Sequence, residues 1–181
     1  MDYGIAPLPS EVDQLVCERP DTYGVIREYP SGNKYMYCYT ALTTFTKGSL
    51  ACLSFDGGAT AGLNPLATKP ATTNALLHKW GICCETVAAA GGIWVQIYGH
   101  CNFAEVEGGT TDIAIGDCLQ ATNATWYLIT DGTTVTADTI AYAESVEAAA
   151  VAVQELLSTG GTGHCEANNS VFLLDRWACS T

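Results

Sequence analysis

Histidine and cysteine are the residues of this chain that could take part in the widest range of chemistry. Two His-Cys pairs occur in the same local sequence context. His100-Cys101 and His164-Cys165 each follow a glycine. If the two pairs met in space, two imidazoles and two thiolates could bind zinc. Structural zinc sites, however, use Cys-x₂₋₄-Cys and His-x₃₋₅-His spacings, and adjacent residues of a strand point to opposite faces. The spacing therefore predicts no metal site, and Cys83-Cys84 fails for the same reason.

The other patterns associated with catalysis are weak or missing. No local signature accompanies a pairing of a histidine with a cysteine nucleophile. The neighbouring carboxylates, Glu105 with Glu107 and Glu144 with Glu147, fall on expected strand or turn surfaces, where solvated acids are the simpler interpretation than a glycosidase pair. The sequence has neither a phosphate-binding loop nor a dinucleotide-type glycine triplet. We predict that the chain is not an enzyme and needs no cofactor; an enzyme with a Cys–His pair stays open as an alternative.

The cysteines also bear on the cellular compartment. There are nine, an odd number, so at least one is free or pairs between chains. The N-terminal sequence Met-Asp-Tyr-Gly has neither the basic nor the apolar region of a signal peptide. We therefore expect the protein in a cytoplasm, or in a particle assembled there, with reduced thiols that act as small buried hydrophobes. Disulfides formed after assembly outside a cell are the alternative.

The charge balance excludes two classes of partner. The net charge is −12, and the few basic residues are spread singly along the sequence: Arg19, Arg27, Lys34, Lys47, Lys69, Lys79 and Arg176. Without a basic patch, counterion release cannot drive binding to nucleic acid, and an anionic membrane surface is excluded on the same ground. No apolar run reaches the ~20 residues of a membrane helix. Charged residues are only 14% of the chain, which suggests that other subunits cover much of its surface.

Short alternating runs separated by turn residues must position these side chains. In the clearest run, which follows a glycine pair, Ile93, Val95 and Ile97 share one face, while Trp94 and Tyr98 share the other. We expect the first face in the core. Runs of this kind recur at intervals of about 8–12 residues, with Gly, Asp or Asn turns between them. Examples are the strands expected at Lys34–Thr40, Asp112–Ile115 and Cys118–Ala121 and the hairpin turn expected at Asp131-Gly132. The pattern predicts an all-β fold: a compact antiparallel sandwich or barrel of about ten short strands.

Three stretches depart from the strand pattern. Residues 1–22 contain three prolines and scattered apolar residues, which predicts an extended N-terminal arm, with one capped helical turn starting at residue 10. Residues 23–181 are expected to form the β-rich domain, with a long loop at 56–76. Residues 146–157 fit helical spacing, although a sheet context could make them a strand.

Four motifs follow one another between Lys79 and Leu157. They are Trp80-Gly81-Ile82, then Ala88-Ala89-Ala90-Gly91-Gly92 before Ile93-Trp94-Val95-Gln96-Ile97-Tyr98-Gly99, then Ile113-Ala114-Ile115-Gly116-Asp117-Cys118-Leu119, and finally Ile140-Ala141-Tyr142-Ala143 with Val151-Ala152-Val153. In this order they resemble tailed-phage capsid decoration proteins, also called cement or auxiliary head proteins. The resemblance covers somewhat under half of the chain. Residues 1–22 and 56–76 lie outside it, and nine cysteines are unexpected for the family.

The resemblance implies a structural virion protein on the exterior of an icosahedral head, assembled in the host cytoplasm. Its partners would be the major capsid protein, whose neighbouring subunits it would bridge, and further copies of itself in a homotrimer. The resemblance also implies a strand at 151–157. The family pattern carries no catalytic or cofactor residue, so none is transferred.

Two groups of residues follow as candidate contacts. The apolar side chains of the arm are expected to bind the capsid: Tyr3, Ile5, Leu8, Val12 and Leu15. Trp94 and Tyr98, which lie opposite the expected core face of their strand, are predicted at an interface between subunits.

A receptor- or glycan-binding module of a phage fibre or tail is the alternative function. An aromatic stacking face could be built from Tyr35, Tyr37, Tyr39, Trp94, Tyr98 and Trp126. Solvent-exposed tryptophans would favour this alternative.

Overall fold

The structure is a computed structural model that describes residues 10–40, 44–54, 65–68, 79–107, 113–121, 126–136, 139–144 and 170–175. These residues form α1 (Glu11–Cys17), β1 (Ile26–Glu28), β2 (Lys34–Thr40), β3 (Leu50–Ser54), β4 (Leu66–Thr68), β5 (Lys79–Cys83), β6 (Gly91–Cys101), β7 (Val106–Glu107), β8 (Cys118–Ala121), β9 (Leu128–Gly132), β10 (Thr139–Ala143) and β11 (Val171–Leu173). The all-β prediction is confirmed, with eleven strands in the described ranges. None of the helices within those ranges combines the length and apolar character needed to cross a bilayer.

Strand pairing divides the fold into a closed part and an open part. Five strands form a ring of pairings, in which β2 pairs with β4, β4 with β3, β3 with β5, β5 with β6, and β6 with β2. The end of β6 also pairs with β11, which begins a second sheet in the order β11-β10-β8-β9-β7. Most pairings are antiparallel, and two, β2–β4 and β7–β9, are parallel. The long strand β6 therefore joins a small barrel to an open sheet.

Side-chain alternation explains the interior of the barrel. Met36 and Cys38 of β2 lie in one buried cluster with Ile93, Val95 and Ile97 of β6. Because neighbouring residues of a strand point to opposite faces, each strand presents every second side chain to this interior. The prediction that Ile93, Val95 and Ile97 form core is confirmed. Each such side chain stabilises the fold by about 1.5–3 kcal/mol when fully buried.

The outer face of the barrel is covered in part by the second sheet. Leu50 and Cys52 of β3 and Trp80 and Ile82 of β5 pack in a cluster with side chains of the open sheet, among them Leu119. Their neighbours on the same strands face the barrel interior. The strands β3 and β5 are thus apolar on both faces, as expected for strands between two packed layers.

The helix α1 begins with a reciprocal capping box. The Ser10 hydroxyl accepts a hydrogen bond from the Asp13 backbone N–H at 3.1 Å, and the Asp13 carboxylate accepts one from the Ser10 backbone N–H at 3.3 Å. The Ser10 hydrogen bonds also lower the pKa of the Asp13 carboxyl. The capped helical turn predicted at residue 10 is confirmed, and it extends to two turns.

The prediction of an extended arm is wrong for residues 10–17, because α1 packs on the body of the same chain. Val12 and Leu15 are buried in a cluster with Tyr35, Tyr37 and Trp94 on the outer face of the barrel. Two contact residues expected at the capsid are therefore core residues of the monomer. The other three, Tyr3, Ile5 and Leu8, lie outside the described residues.

Arg19 holds the segment that follows α1 against the barrel through two polar contacts. Its guanidinium forms an ion pair with Glu85 at 2.5 Å and donates to the Gly92 carbonyl oxygen at 3.0 Å. Glu85 is buried, and this burial raises the pKa of its carboxyl, although the Arg19 charge acts in the opposite direction. Both acceptors belong to the region where β5 leads into β6, so this part of the predicted arm is held at two points by its own chain.

Three further expectations about local structure fail. The long loop expected at 56–76 contains β4, whose residues 66–68 pair with β3. Asp131-Gly132 does not form a tight hairpin, because these residues belong to β9 and β8 lies between β9 and β10. The strand expected at 112–115 is absent from its described residues, 113–115, where only Ile113 forms an isolated β-bridge. The expectations for 146–157 and for His164-Cys165 lie outside the described residues.

Gly81 marks a close approach between β5 and β6, and its replacement tests the barrel. Gly81→Ala is expected to lower the free energy of unfolding by about 1–3 kcal/mol. The added Cβ would lie 2.4 Å from Val95 Cγ1 and 2.5 Å from the Gln96 carbonyl oxygen, a backbone atom of the paired strand. Urea unfolding measures the change. Gly91→Ala is the control, because its added Cβ would lie 2.9 Å from the side-chain atom Val87 Cγ1 and 3.3 Å from the nearest backbone atom, the Ala88 carbonyl oxygen; an equal loss in both variants would contradict the barrel pairing.

Candidate functional site

Trp94 does not lie at a surface where a second subunit could contact it. Its side chain is 0% exposed and packs within the chain against Tyr37, with ring centroids 5.1 Å apart, and beneath the Arg27 guanidinium. The predicted role of Trp94 at a subunit interface is therefore wrong, since the space outside it is filled by α1. Tyr98 is partly buried between Phe172 and Lys34, and its interface role stays a prediction.

The aromatic stacking face expected for a glycan-binding module is not formed. Tyr35 and Tyr37 are buried like Trp94, and α1 lies over this group. Trp126 is in another place, against Phe45 with ring centroids 5.1 Å apart. Tyr35, Tyr37 and Trp94 thus serve to dock α1.

His100 and Cys101 point to opposite faces of β6, as the sequence predicts for adjacent strand residues. The His100 side chain is exposed and its Nδ1 contacts the Glu144 carboxylate, whereas the Cys101 side chain is buried under the second sheet. Within the ranges that the structure describes, no three His, Cys, Asp or Glu side chains are grouped as metal ligands.

The thiols of the described cysteines are mostly buried and unreactive in character. Burial raises the pKa of the Cys38, Cys83 and Cys84 thiols well above the usual value, and that of Cys101 to about 12. A nucleophilic cysteine needs the opposite shift, toward thiolate. Cys83 and Cys84 also lie in different clusters, on opposite sides of their strand. Six of the described cysteines are buried, as expected for small hydrophobes, whereas Cys17 is exposed.

A polar cleft of about 320 Å³ lies between the start of α1 and the strands β2 and β6. It is lined by Ser10, Glu11, Val12, Asn33, Tyr35, Lys47, Gln96, His100, Asn102 and Phe103. Its walls come from segments far apart in the sequence, which the docking of α1 brings together. We refer to it as the α1 cleft.

The charged groups of the α1 cleft already have partners. The Glu11 carboxylate accepts hydrogen bonds from the Asn33 side-chain amide at 3.1 Å and from the Tyr35 hydroxyl at 3.2 Å. The Lys47 ammonium lies 5.2 Å from the centre of the Phe103 ring, a cation–π distance. Carboxylate and ammonium are therefore held in place by the protein itself.

Gln96 is the unusual polar residue of the α1 cleft. Its side chain is polar yet 0% exposed, and its neighbours on β6, Val95 and Ile97, are core residues. Its side-chain Nε2 donates to the His100 carbonyl oxygen at 2.8 Å, but its Oε1 has no hydrogen-bond partner among the described residues. A buried acceptor without a partner costs about 1–3 kcal/mol. The hydrogen bond from Nε2 fixes the orientation of the amide, and Oε1 is left without a hydrogen-bond partner among the described residues.

Glu105 is a second buried group with an unsatisfied atom. Its side chain is 2% exposed; one carboxyl oxygen lies 3.5 Å from the Thr46 hydroxyl, and Oε2 has no hydrogen-bond partner among the described residues. Burial raises the pKa of the Glu105 carboxyl to about 7, and the Thr46 hydrogen bond lowers it by a smaller amount. This carboxyl therefore changes its charge near neutral pH. The sequence places it on a solvated surface, and that expectation is wrong.

The sequence does not single out the residues of the α1 cleft. Gln96 carries the one available signal, since it is a polar residue inside an otherwise apolar and aromatic run. Gln96 pairs with Tyr35 of β2 and with Ile82 of β5, and strand alternation does not predict these two pairings. Comparison of the chain with protein-family models, with curated proteins and with solved structures finds no match.

Proposed function

We propose that the chain is a structural virion protein that binds the outer surface of a tailed-phage capsid and bridges neighbouring subunits of the major capsid protein. In this proposal it acts as a homotrimer and performs no catalysis. The observation that carries the proposal is that motifs of the family resemblance are neighbours in space. The motifs at 93–99, 113–119 and 140–143 contribute to β6, to the turn before β8 and to β10, all connected through the second sheet.

The Gly116-Asp117 turn supports the proposal in detail. Gly116 has φ 92°, a conformation that favours glycine, and its N–H donates to the Ala143 carbonyl oxygen at 2.8 Å. The Asp117 carboxylate accepts a hydrogen bond from the Ala114 N–H at 2.8 Å and closes the turn. The motif at 113–119 therefore forms a turn that is closed by its own hydrogen bonds. This suits a family whose shared residues build a scaffold.

Charge favours the outer surface over the inside of the head. A chain with a net charge of −12 is repelled by packaged DNA, whereas the capsid exterior imposes no such penalty. Many weakly bound copies on one shell would also gain from avidity.

Strand β1 is a candidate contact for the capsid. It pairs with β2 on one side, and no strand of the described residues pairs with its other side. Ile26 on this strand is 53% exposed. An open edge with an apolar side chain can add a strand from a partner. With Tyr3, Ile5 and Leu8, which precede the anchored α1 in the chain, β1 forms the proposed capsid contact, and Tyr98 stays the proposed contact between subunits.

Removal of residues 2–9 tests the capsid contact without touching α1. We expect the truncated chain to keep the unfolding midpoint of the full chain, because Ser10 and the helix are retained, but to lose at least about tenfold in affinity for purified heads, equivalent to ~1.4 kcal/mol. Co-sedimentation with heads stripped of the protein measures the binding. The full chain is the positive control, and a chain with residues 2–9 replaced by Gly and Ser controls for length. Undiminished binding of the truncated chain would contradict the role of Tyr3, Ile5 and Leu8; failure of the full chain to bind heads would contradict the function itself.

A further inference from the structure

We propose that Glu105 is a pH-sensitive latch between the barrel and the second sheet, and that ionisation of its carboxyl lets the loop at 46–48 separate locally from residues 103–105. The loop belongs to the barrel because it leads into β3, whereas residues 103–105 lead into β7 of the second sheet. The latch is a property of the isolated chain and does not depend on capsid attachment.

The loop and residues 103–105 are packed closely enough to keep water from the Glu105 carboxyl. This side chain is 2% exposed. A Cβ added at Gly48 would lie 2.5 Å from the Phe103 carbonyl oxygen and 3.4 Å from Glu105 Cγ. The Thr46 hydroxyl lies 3.5 Å from one carboxyl oxygen, and the other, Oε2, has no hydrogen-bond partner among the described residues. A neutral carboxyl can be held in such a place, whereas a carboxylate loses its hydration without gaining a compensating partner.

Glu105 forms no salt bridge within the described residues. The ionisable side chains of the elements around it are Lys47 in the loop, Cys83 at the end of β5, Glu85 after β5, Cys101 at the end of β6 and Tyr127 before β9. The Lys47 ammonium lies 5.2 Å from the centre of the Phe103 ring, and Glu85 is paired with Arg19. Burial raises the pKa of the Cys83 and Cys101 thiols, so these neighbours are neutral. An ionised Glu105 would therefore be a buried carboxylate without a cation to pair with it.

Few contacts hold this junction, so it can open while the barrel stays folded. The Glu105 N–H donates to the Gly48 carbonyl oxygen at 2.9 Å, and the Glu105 carbonyl oxygen accepts from the Leu128 N–H at 2.9 Å. Strand β7 pairs at two positions with β9 and is the last strand of the second sheet in the described part of the chain. An edge segment with so few bonds opens at a lower free energy than the core strands. Opening admits water to the carboxylate and relieves its burial.

Proton binding sets the direction of the pH effect. The closed junction holds the proton of Glu105 up to about pH 7, because burial raises the pKa of this carboxyl from its ordinary value of 4.5 to about 7. The open junction restores the ordinary value, so opening releases a proton between these limits and is favoured as the pH rises. The open fraction is expected to grow about 100-fold between pH 4.5 and pH 7.5 and to level off at higher pH.

Hydrogen exchange of the full chain, followed by NMR between pH 4.5 and pH 8.5 and corrected for the intrinsic pH dependence of exchange, tests the latch. The amides of Gly48, Glu105 and Leu128 should exchange through an opening that hardly depends on added urea and whose population rises about 100-fold over this range. The amides that join β2 and β6 in the barrel should exchange only with global unfolding, which depends steeply on urea.

Three variants separate the latch from general destabilisation. Glu105→Gln removes the titrating proton and should abolish the pH dependence at the junction amides, whereas Glu28→Gln, which removes an exposed carboxylate on β1, should preserve it. Thr46→Val, at an exposed position, removes the hydrogen bond that lowers the pKa of the Glu105 carboxyl and should move the effect to higher pH.

Three results would overturn the latch. The first is exchange of the Gly48 and Leu128 amides only with global unfolding, at the free energy and urea dependence of the barrel amides. The second is a junction opening that does not change with pH. The third is a Glu105→Gln variant that keeps the pH dependence of the parent.

Discussion

Replacement of Leu15 by alanine is expected to lower the free energy of unfolding by about 2–5 kcal/mol, a large effect for a residue in a stretch whose sequence resembles a flexible terminus. The Leu15 side chain is 0% exposed and packs with Tyr35, Tyr37 and Trp94 on the outer face of the barrel. Its truncation removes apolar contacts and leaves a cavity beneath α1. Urea unfolding followed by far-ultraviolet circular dichroism measures the loss.

A control on the same helix separates docking from helix propensity. Cys17 is exposed at the last turn of α1, so Cys17→Ala should change the free energy of unfolding by less than about 0.5 kcal/mol. If Leu15→Ala cost no more than this control, α1 would not be docked in solution, and the role of Val12 and Leu15 as capsid contacts would be restored. Hydrogen exchange at the amides of α1 gives an independent measure of the same docking.

Strand alternation explains why the barrel could be predicted from the sequence. Lys34–Thr40 and Cys118–Ala121 were expected as strands with the bounds that the structure has, and Ile93, Val95 and Ile97 were expected in the core. Apolar residues at every second position indicate which face of a strand is buried, and this pattern can be read within the strand itself. The closure of the ring is not local, because it depends on β4, a three-residue strand inside a stretch rich in glycine, threonine and proline.

Docking of α1 could not be predicted in the same way. A helix of seven residues is unstable by itself, and most of its stability comes from tertiary packing. The sequence shows the cap at Ser10 and apolar residues at Val12 and Leu15, but the spacing does not say whether the partner is the same chain or another. In the structure α1 docks on its own chain. This docking also buries Trp94 and forms one wall of the α1 cleft.

Glutamine in place of Glu105 is expected to stabilise the protein at alkaline pH and to leave its stability nearly unchanged at pH 4.5. Burial raises the pKa of this carboxyl to about 7 from the model-peptide value of 4.5. The folded chain therefore holds a proton that the unfolded chain releases between these two values. The favourable contribution of the protonated group is complete below about pH 4.5, declines by up to ~1.4 kcal/mol per pH unit as the pH rises, and is lost above about pH 7. The total loss amounts to about 3 kcal/mol.

The difference between parent and Glu105→Gln isolates this one group. Other ionisable groups, including the buried Glu85, titrate in both proteins and cancel in the difference. Glutamine is neutral at every pH, so the variant should exceed the parent by up to about 3 kcal/mol in free energy of unfolding at pH 8, and the advantage should shrink toward zero at pH 4.5. Urea unfolding at one-unit steps between these limits measures it, with Glu28→Gln, which removes an exposed carboxylate on β1, as the matched surface control. A constant difference for Glu105→Gln would mean that the carboxyl is hydrated in the folded protein, because burial away from water is what raises its pKa.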